Sequence, residues 1–140
     1  MRYFGSKEGL FAAAASFDLR LPDLAAVPRG NLGMALVRHF LARWEGDPSD
    51  DALRVLLRAA ASHDTAAERM RQIFRAQLVP AIAGIVPGPQ AAERAGLIAT
   101  QMIGLAFCRY VLRLPEIADL PHDTVAARIG PTVQRYLMGR

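Results

Sequence analysis

The sequence predicts an all-α fold, a helical bundle of about six helices. Apolar residues recur at spacings of three and four through almost every segment. No run of alternating β-branched or aromatic residues reads as a strand, and clusters of proline and glycine punctuate the helical segments. The 140 residues are 52% hydrophobic and 21% charged, enough apolar material for one cored domain and too much for a disordered chain.

Taken in order, Ser6 is placed to cap a helix over residues 7–19, with Glu8 in its first turn, where the helix dipole favours an acid. Leu10, Phe11, Ala14 and Phe17 form its apolar face. Pro22, Pro28 and Gly30 mark a connector. A second helix over 31–45 carries Leu32, Leu36, Phe40 and Trp44 in one row, with Val37 and Leu41 in the row beside it. Gly46, Asp47 and Pro48 end it. Ser49 or Asp50 caps a third helix over 50–62, with Leu53, Leu56, Leu57 and Ala60 inward and Arg54 and Arg58 outward. Asp64 is expected to cap a fourth helix over 65–78, with Met70, Ile73, Phe74, Gln77 and Leu78 on one side. Pro80 should kink or end it, because proline lacks an N–H and clashes with the preceding turn.

After the break at Pro87, Gly88 and Pro89 comes the longest helix, 90–112, which turns apolar on most sides between Ala95 and Cys108. A helix apolar all round is buried all round. A chain this short can hardly bury it alone, so part of its surface is expected to meet another subunit. Gly96, Ala99, Gly104 and Ala106 would allow a partner helix close approach. Residues 114–122, with Pro115 and Pro121, read as a loop. The last helix, 123–138, carries Val125, Ile129, Val133 and Tyr136 or Leu137 inward, and Pro131 should bend it.

The residues give little support to catalysis or metal binding. His39, His63 and His122 lie on different elements, and no pair has the spacing that places two imidazoles on one helix face. Ser62-His63-Asp64 is a helix end followed by a cap, since consecutive side chains do not face one another. Asp50 and Asp51 serve a helix start. Cys108, the one cysteine, reads as a small core residue and excludes an internal disulfide. No enzyme, cofactor or metal is expected. No apolar run reaches the roughly 18–20 residues of a membrane helix, and residues 10–15 are barely long enough for a signal-peptide core, so a cytoplasmic location without membrane contact is expected. The formal charge of +4 comes from basic residues that are all arginine except Lys7 and are spread along the chain, not gathered in a nucleic-acid patch.

The most informative segment is Tyr3-Phe4-Gly5-Ser6-Lys7-Glu8-Gly9-Leu10-Phe11. It closely resembles the end of the DNA-binding head in TetR-family transcriptional regulators: an aromatic pair closing the recognition helix, a short turn, then a Ser/Thr-Lys-acid start to the next helix. Gly-Pro-Thr-Val-Gln-Arg-Tyr-Leu at 130–137 resembles the closing segment of many members. The resemblance implies that Tyr3 and Lys7 contact DNA phosphates, that Ser6 caps the connecting helix, and that Phe4 anchors the head to the body. A tyrosine hydroxyl, an ammonium and a helix N-terminus all suit phosphate oxygens.

Most of the family's helix-turn-helix lies upstream of this motif. Residues 1–19 are therefore expected to be a remnant of the head plus the connecting helix, Met1 to be an internal start, and operator binding to require the head restored. Residues 20–140 are expected to form the ligand-binding and dimerisation domain. The implied function is that of a TetR-type regulator whose effector controls DNA binding. Candidate pocket residues are Phe40, Trp44, Met70, Phe74, Gln101 and Met102, and a small hydrophobic or aromatic effector is expected. Candidate homodimer residues on the last two long helices are Leu97, Ile98, Gln101, Met102, Leu105, Ile129, Val133 and Tyr136. Two alternatives stay open at this point: an all-helical scaffold or enzyme that shares the motif by chance, and a headless regulator that heterodimerises with an intact paralogue.

Overall fold

The computed structural model describes residues 17–46, 51–86 and 88–139, with side chains at all of these except 51 and 52. The row that opens the second expected helix becomes the buried face of α1 (Leu32–Glu45): Leu32, Leu36, Val37 and Leu41 are sealed from solvent. Each such leucine contributes about 1.5–3 kcal/mol relative to an exposed one. Two short 3₁₀ turns, Leu24–Ala26 and Arg29–Asn31, lead into α1. The first-turn amides of a helix lack internal partners, and Asn31 makes no capping bond here. Gln134 serves instead, accepting the Gly33 N–H at 2.7 Å and donating to the Arg29 carbonyl at 2.7 Å. That glutamine belongs to α7 (His122–Met138), which packs along α1 in the most extensive helix pairing of the fold.

Helices α2 (Asp51–Ala59) and α3 (Asp64–Ile73) form a hairpin. α3 then passes through a wide π-type turn, Phe74–Leu78, into α4 (Val79–Ala83). The kink or stop expected at Pro80 is thus replaced by a widened turn just before the proline, which lets the helix continue past a residue with no N–H to donate. α5 (Ala91–Ala106) widens in the same way at Phe107–Val111. The expected loop at 114–122 contains a single helical turn, α6 (Pro115–Ala118), with Pro115 at the first helical position, where its missing N–H costs nothing. α7 runs through Pro131 as one element.

Two apolar clusters fill the interior. One joins α1, α4, α5 and α7 around Leu36, Ile82, Ile98, Val125 and Val133. The other joins Phe17, Leu19 and Trp44 to Leu56 and Leu57 of α2 and Ala66 and Ile73 of α3. Among the described residues no helix is long and apolar enough to cross a membrane.

Several expectations are corrected. Residues 17–20 are not helical; Phe17 and Leu19 are still buried, but as an extended strap whose backbone is bonded to side chains of the body. The strap ends at Arg20, which adopts φ 51°, a left-handed conformation that costs a non-glycine residue about 1–2 kcal/mol. Asp64 is the first residue of α3, and His63 occupies the capping position. Arg54 does not point outward: it is half-buried, donating to the Trp44 carbonyl at 2.6 Å with its guanidinium 4.9 Å from the Tyr110 ring centre. Cys108 is partly exposed. α5 is not buried all round, because Leu97, Thr100, Gly104 and Phe107 line one exposed stripe. Tyr3, Phe4, Ser6, Lys7, Ser49 and Asp50 lie outside the described residues.

Candidate functional site

The seam between the two apolar clusters is not filled. A cavity of about 350 Å³ opens there, lined among the described residues by side chains from both sides of the seam. Phe40 and Trp44, one turn apart on α1, form one wall. Met70, Ile73, Phe74 and Leu78 on α3 and its wide turn form another, and Met102 and Ile103 of α5 close the back. The room exists because Ala60, Ala67 and Ala99 stand where larger side chains would meet. Arg71 is the one charged residue of the described lining. Its guanidinium is exposed and turned to Glu68 at 2.8 Å and Asp64 at 3.5 Å, so the wall itself is apolar.

Five of the six pocket candidates therefore stand on this wall: Phe40, Trp44, Met70, Phe74 and Met102. Gln101 does not. One residue from Met102 on a helix means about 100° of rotation, and its amide approaches the Tyr136 hydroxyl at 3.5 Å instead. Of the dimer candidates, Ile98, Met102, Leu105 and Val133 are buried inside the single chain, so they are core residues unavailable to a partner. Periodicity identified them as buried without saying against what. Leu97 is 41% exposed, and Gln101, Ile129 and Tyr136 are half-buried. Phe107, 39% exposed, extends the stripe beyond Gly104; its spacing of 97, 100, 104 and 107 was the signal in the sequence. A groove of about 330 Å³ between Leu97 and the end of α7 is edged by Glu93, Arg94, Arg135 and Tyr136.

Beside the cavity lies a polar cluster that no local pattern announces. Glu45, the last residue of α1, receives Arg109 Nε at 2.9 Å and the Tyr110 hydroxyl on one oxygen, and His122 Nε2 at 2.9 Å on the other. Arg109 is only 9% exposed, and its Nη1 also donates to the carbonyls of Ile117 and Leu120 at 2.8 and 2.9 Å. A buried guanidinium needs this much compensation. The cluster fixes Tyr110, whose ring stacks on Trp44 with centres 5.6 Å apart and planes 9° from parallel. Glu45 thus stiffens one wall of the cavity from behind.

Partial burial is the largest influence on Glu45 and raises its pKa, but the bonds from Tyr110, His122 and Arg109, with the charge of Arg109, together hold it below its ordinary 4.5. Burial, then the bond to Glu45, pushes the Tyr110 hydroxyl upward. The unfolded chain therefore binds the Glu45 proton more readily than the folded one, so this contribution to stability is present above pH 4.5 and is lost as pH falls through the lower folded value. For Tyr110 the sign is opposite: the folded chain retains the proton, and stability falls as pH rises above the ordinary 10.0. Urea denaturation across pH is expected to give a plateau bounded by these limbs, with the acid limb flattened in Glu45→Gln. Identical acid limbs in the two proteins would contradict this assignment.

Among the described residues no group of three His, Cys, Asp or Glu side chains is arranged to hold a metal ion. What remains is an apolar chamber in an all-helical body. The model of the "Tetracyclin repressor-like, C-terminal domain" family matches residues 30–137. The chain belongs to the TetR family. A solved TetR-family regulator from Streptomyces coelicolor A3 is similar at 29% identity and a TM-score of 0.57, over 93% of this chain and 80% of that one. None of the curated proteins matches. As a TetR-family member the chain is a transcriptional regulator, and the matched region spans α1 to α6, all of α7 but its last residue, and every described residue of the cavity lining except Leu19.

Proposed function

We propose that residues 20–140 are the effector-binding and dimerisation part of this regulator, and that a small, uncharged hydrophobic or aromatic molecule occupies the cavity. The cavity carries the reading. It is large enough for a small organic ligand, within the range of natural ligand sites, and its wall offers aromatic and thioether surfaces in place of paired hydrogen-bonding groups. A charged ligand placed against such a wall would lose its hydration without compensation. Saturable uptake of the neutral fluorophore N-phenyl-1-naphthylamine is expected, and absence of uptake contradicts the reading.

The same proposal assigns the exposed stripe of α5, with the adjoining face of α7, to a second copy of the chain. A two-fold interface brings the same patch of both subunits together, and Leu97 and Phe107 are large apolar side chains on a helix otherwise packed inward. Sedimentation is expected to give a mass near twice the 15.2 kDa of the chain. Leu97→Asp, which puts two carboxylates against each other at the symmetry axis, is expected to weaken the dimer at least about tenfold. A clean monomer for the unsubstituted chain would remove the dimer from the account.

Tyr3 and Lys7 as phosphate contacts, and Ser6 as a cap, belong to the same proposal by resemblance. Residues 1–16, which hold that motif, join the body through the strap at 17–20. A ligand alters DNA binding only if it prefers one arrangement of the body over another.

A further inference from the structure

The strap at 17–20 is held from two sides. From α1, Arg43 Nε donates to the Asp18 carbonyl at 2.8 Å and His39 Nε2 donates to the Leu19 carbonyl at 2.7 Å. The Arg43 guanidinium also covers the Phe17 ring at 4.2 Å. From the other side, among the described residues, comes Gln77. Its Nε2 donates to the Phe17 carbonyl at 2.6 Å, and its Oε1 accepts the Leu19 N–H at 2.7 Å. The side-chain amide thus pairs with residues 17 and 19 as a neighbouring β-strand would, taking one acceptor and one donor on the same edge.

Gln77 sits on the wide turn Phe74–Leu78, and both ends of that turn, Phe74 and Leu78, line the cavity. Leu19, the strap residue it pairs with, lines the cavity as well. Gln77 itself does not, so it would not touch an occupant. We propose that Gln77 is a positioning residue that couples occupancy of the cavity to the strap, and through it to the N-terminal residues; this rests on the cavity being a ligand site.

The physical argument is one of incompatible distances. An occupant presses on Phe40 and Trp44 of α1 and on Phe74 and Leu78 of the wide turn. If those walls separate, the α1 anchors of the strap and the Gln77 anchor separate too. Hydrogen bonds of 2.6–2.8 Å weaken steeply when stretched or tilted, so the strap cannot follow both. Three contacts tie it to α1 (the Arg43 and His39 bonds and the guanidinium over Phe17) and two bonds tie it to Gln77, so it stays with α1 and leaves the glutamine. A π-type turn carries one residue more than a regular helical turn, which makes it the place where α3 can shift without losing its whole ladder.

Amide hydrogen exchange at Leu19 reads this directly, in the 140-residue chain with and without saturating N-phenyl-1-naphthylamine. In the unsubstituted chain the probe is expected to speed Leu19 exchange about tenfold, as its one acceptor is withdrawn. In Gln77→Met, which keeps length and loses both bonds, exchange is expected to be fast at the outset and unchanged by the probe, with probe affinity within about twofold. Gln77→Glu, which keeps the acceptor for Leu19 and loses the donor to Phe17, is expected to keep the response to the probe and serves if Gln77→Met does not fold. Probe binding with no change at Leu19 in the unsubstituted chain overturns the coupling, as does a full response in Gln77→Met or no response in Gln77→Glu. Failure of the probe to bind the unsubstituted chain overturns the cavity reading itself, and the coupling with it.

Discussion

Gly33→Ala is expected to lose about 3 kcal/mol or more of stability, since the added methyl group would make the closest approach found at any described glycine. A Cβ at Gly33 would lie 2.2 Å from the Gly130 carbonyl oxygen and 2.6 Å from the Gln134 nitrogen, both backbone atoms of α7. Neither can rotate away, so α1 and α7 would have to separate along their whole contact. In an isolated helix the same change gains about 1 kcal/mol of propensity, and the steric cost must exceed that before any loss is seen. Separation would also stretch the 2.7 Å bond from the Gly33 amide to Gln134, which satisfies the first turn of α1. Gly130→Ala meets Met34 Cγ at 2.6 Å, a movable atom, with the Met34 Cα at 3.1 Å; a smaller loss is expected there. Gly30→Ala, with nothing within 4 Å, is the control and should change stability by no more than about 0.5 kcal/mol. Urea denaturation of the three variants checks the order, and a Gly33→Ala protein as stable as the Gly30→Ala control would refute the close helix crossing.

Ala67→Phe is expected to leave the fold intact and to abolish most ligand binding. Ala67 lines the cavity from α3, so the added ring enters space that is already open and does not displace packed atoms. A ligand must then push that ring out of its seat. Forcing an extra group into a filled interior costs about 1–3 kcal/mol, which corresponds to about a tenfold to hundredfold loss of affinity. The change removes no hydrogen bond of the strap and no member of the Glu45 cluster. A drop in affinity with an unchanged denaturation midpoint therefore locates the ligand in the cavity. Unchanged affinity would place it elsewhere.

The helices were legible because burial on a helix leaves a periodic trace: Leu32, Leu36 and Leu41 announce a core face without any knowledge of what covers it. The same property misled at Ile98, Leu105 and Val133. Their periodicity is that of buried residues, but a neighbour in the same chain and a neighbour in a second copy leave the same trace. The cavity was half-legible. Phe40, Trp44, Met70, Phe74 and Met102 stand out as large side chains at helical spacing, whereas the space between them is made by Ala60, Ala67 and Ala99, and an alanine beside a void reads like any other alanine. Gly33 and Gly130, or Glu45 with Arg109, Tyr110 and His122, leave no local mark, because each pairing joins residues more than sixty positions apart. The strap was hidden by its composition: Phe17 continues the helical spacing before it, and the side chains that hold the backbone of 17–19, those of Gln77, His39 and Arg43, come from distant elements.

Trp44, the one tryptophan of the chain, lines the cavity and makes the most direct measurement possible. Its emission can be followed while N-phenyl-1-naphthylamine is titrated in. The account predicts saturable quenching with one probe per chain, shifted to at least about tenfold higher probe concentration in Ala67→Phe. Probe uptake that leaves Trp44 emission untouched, or quenching identical in the two proteins, would contradict the claim that this cavity is the effector site of the regulator.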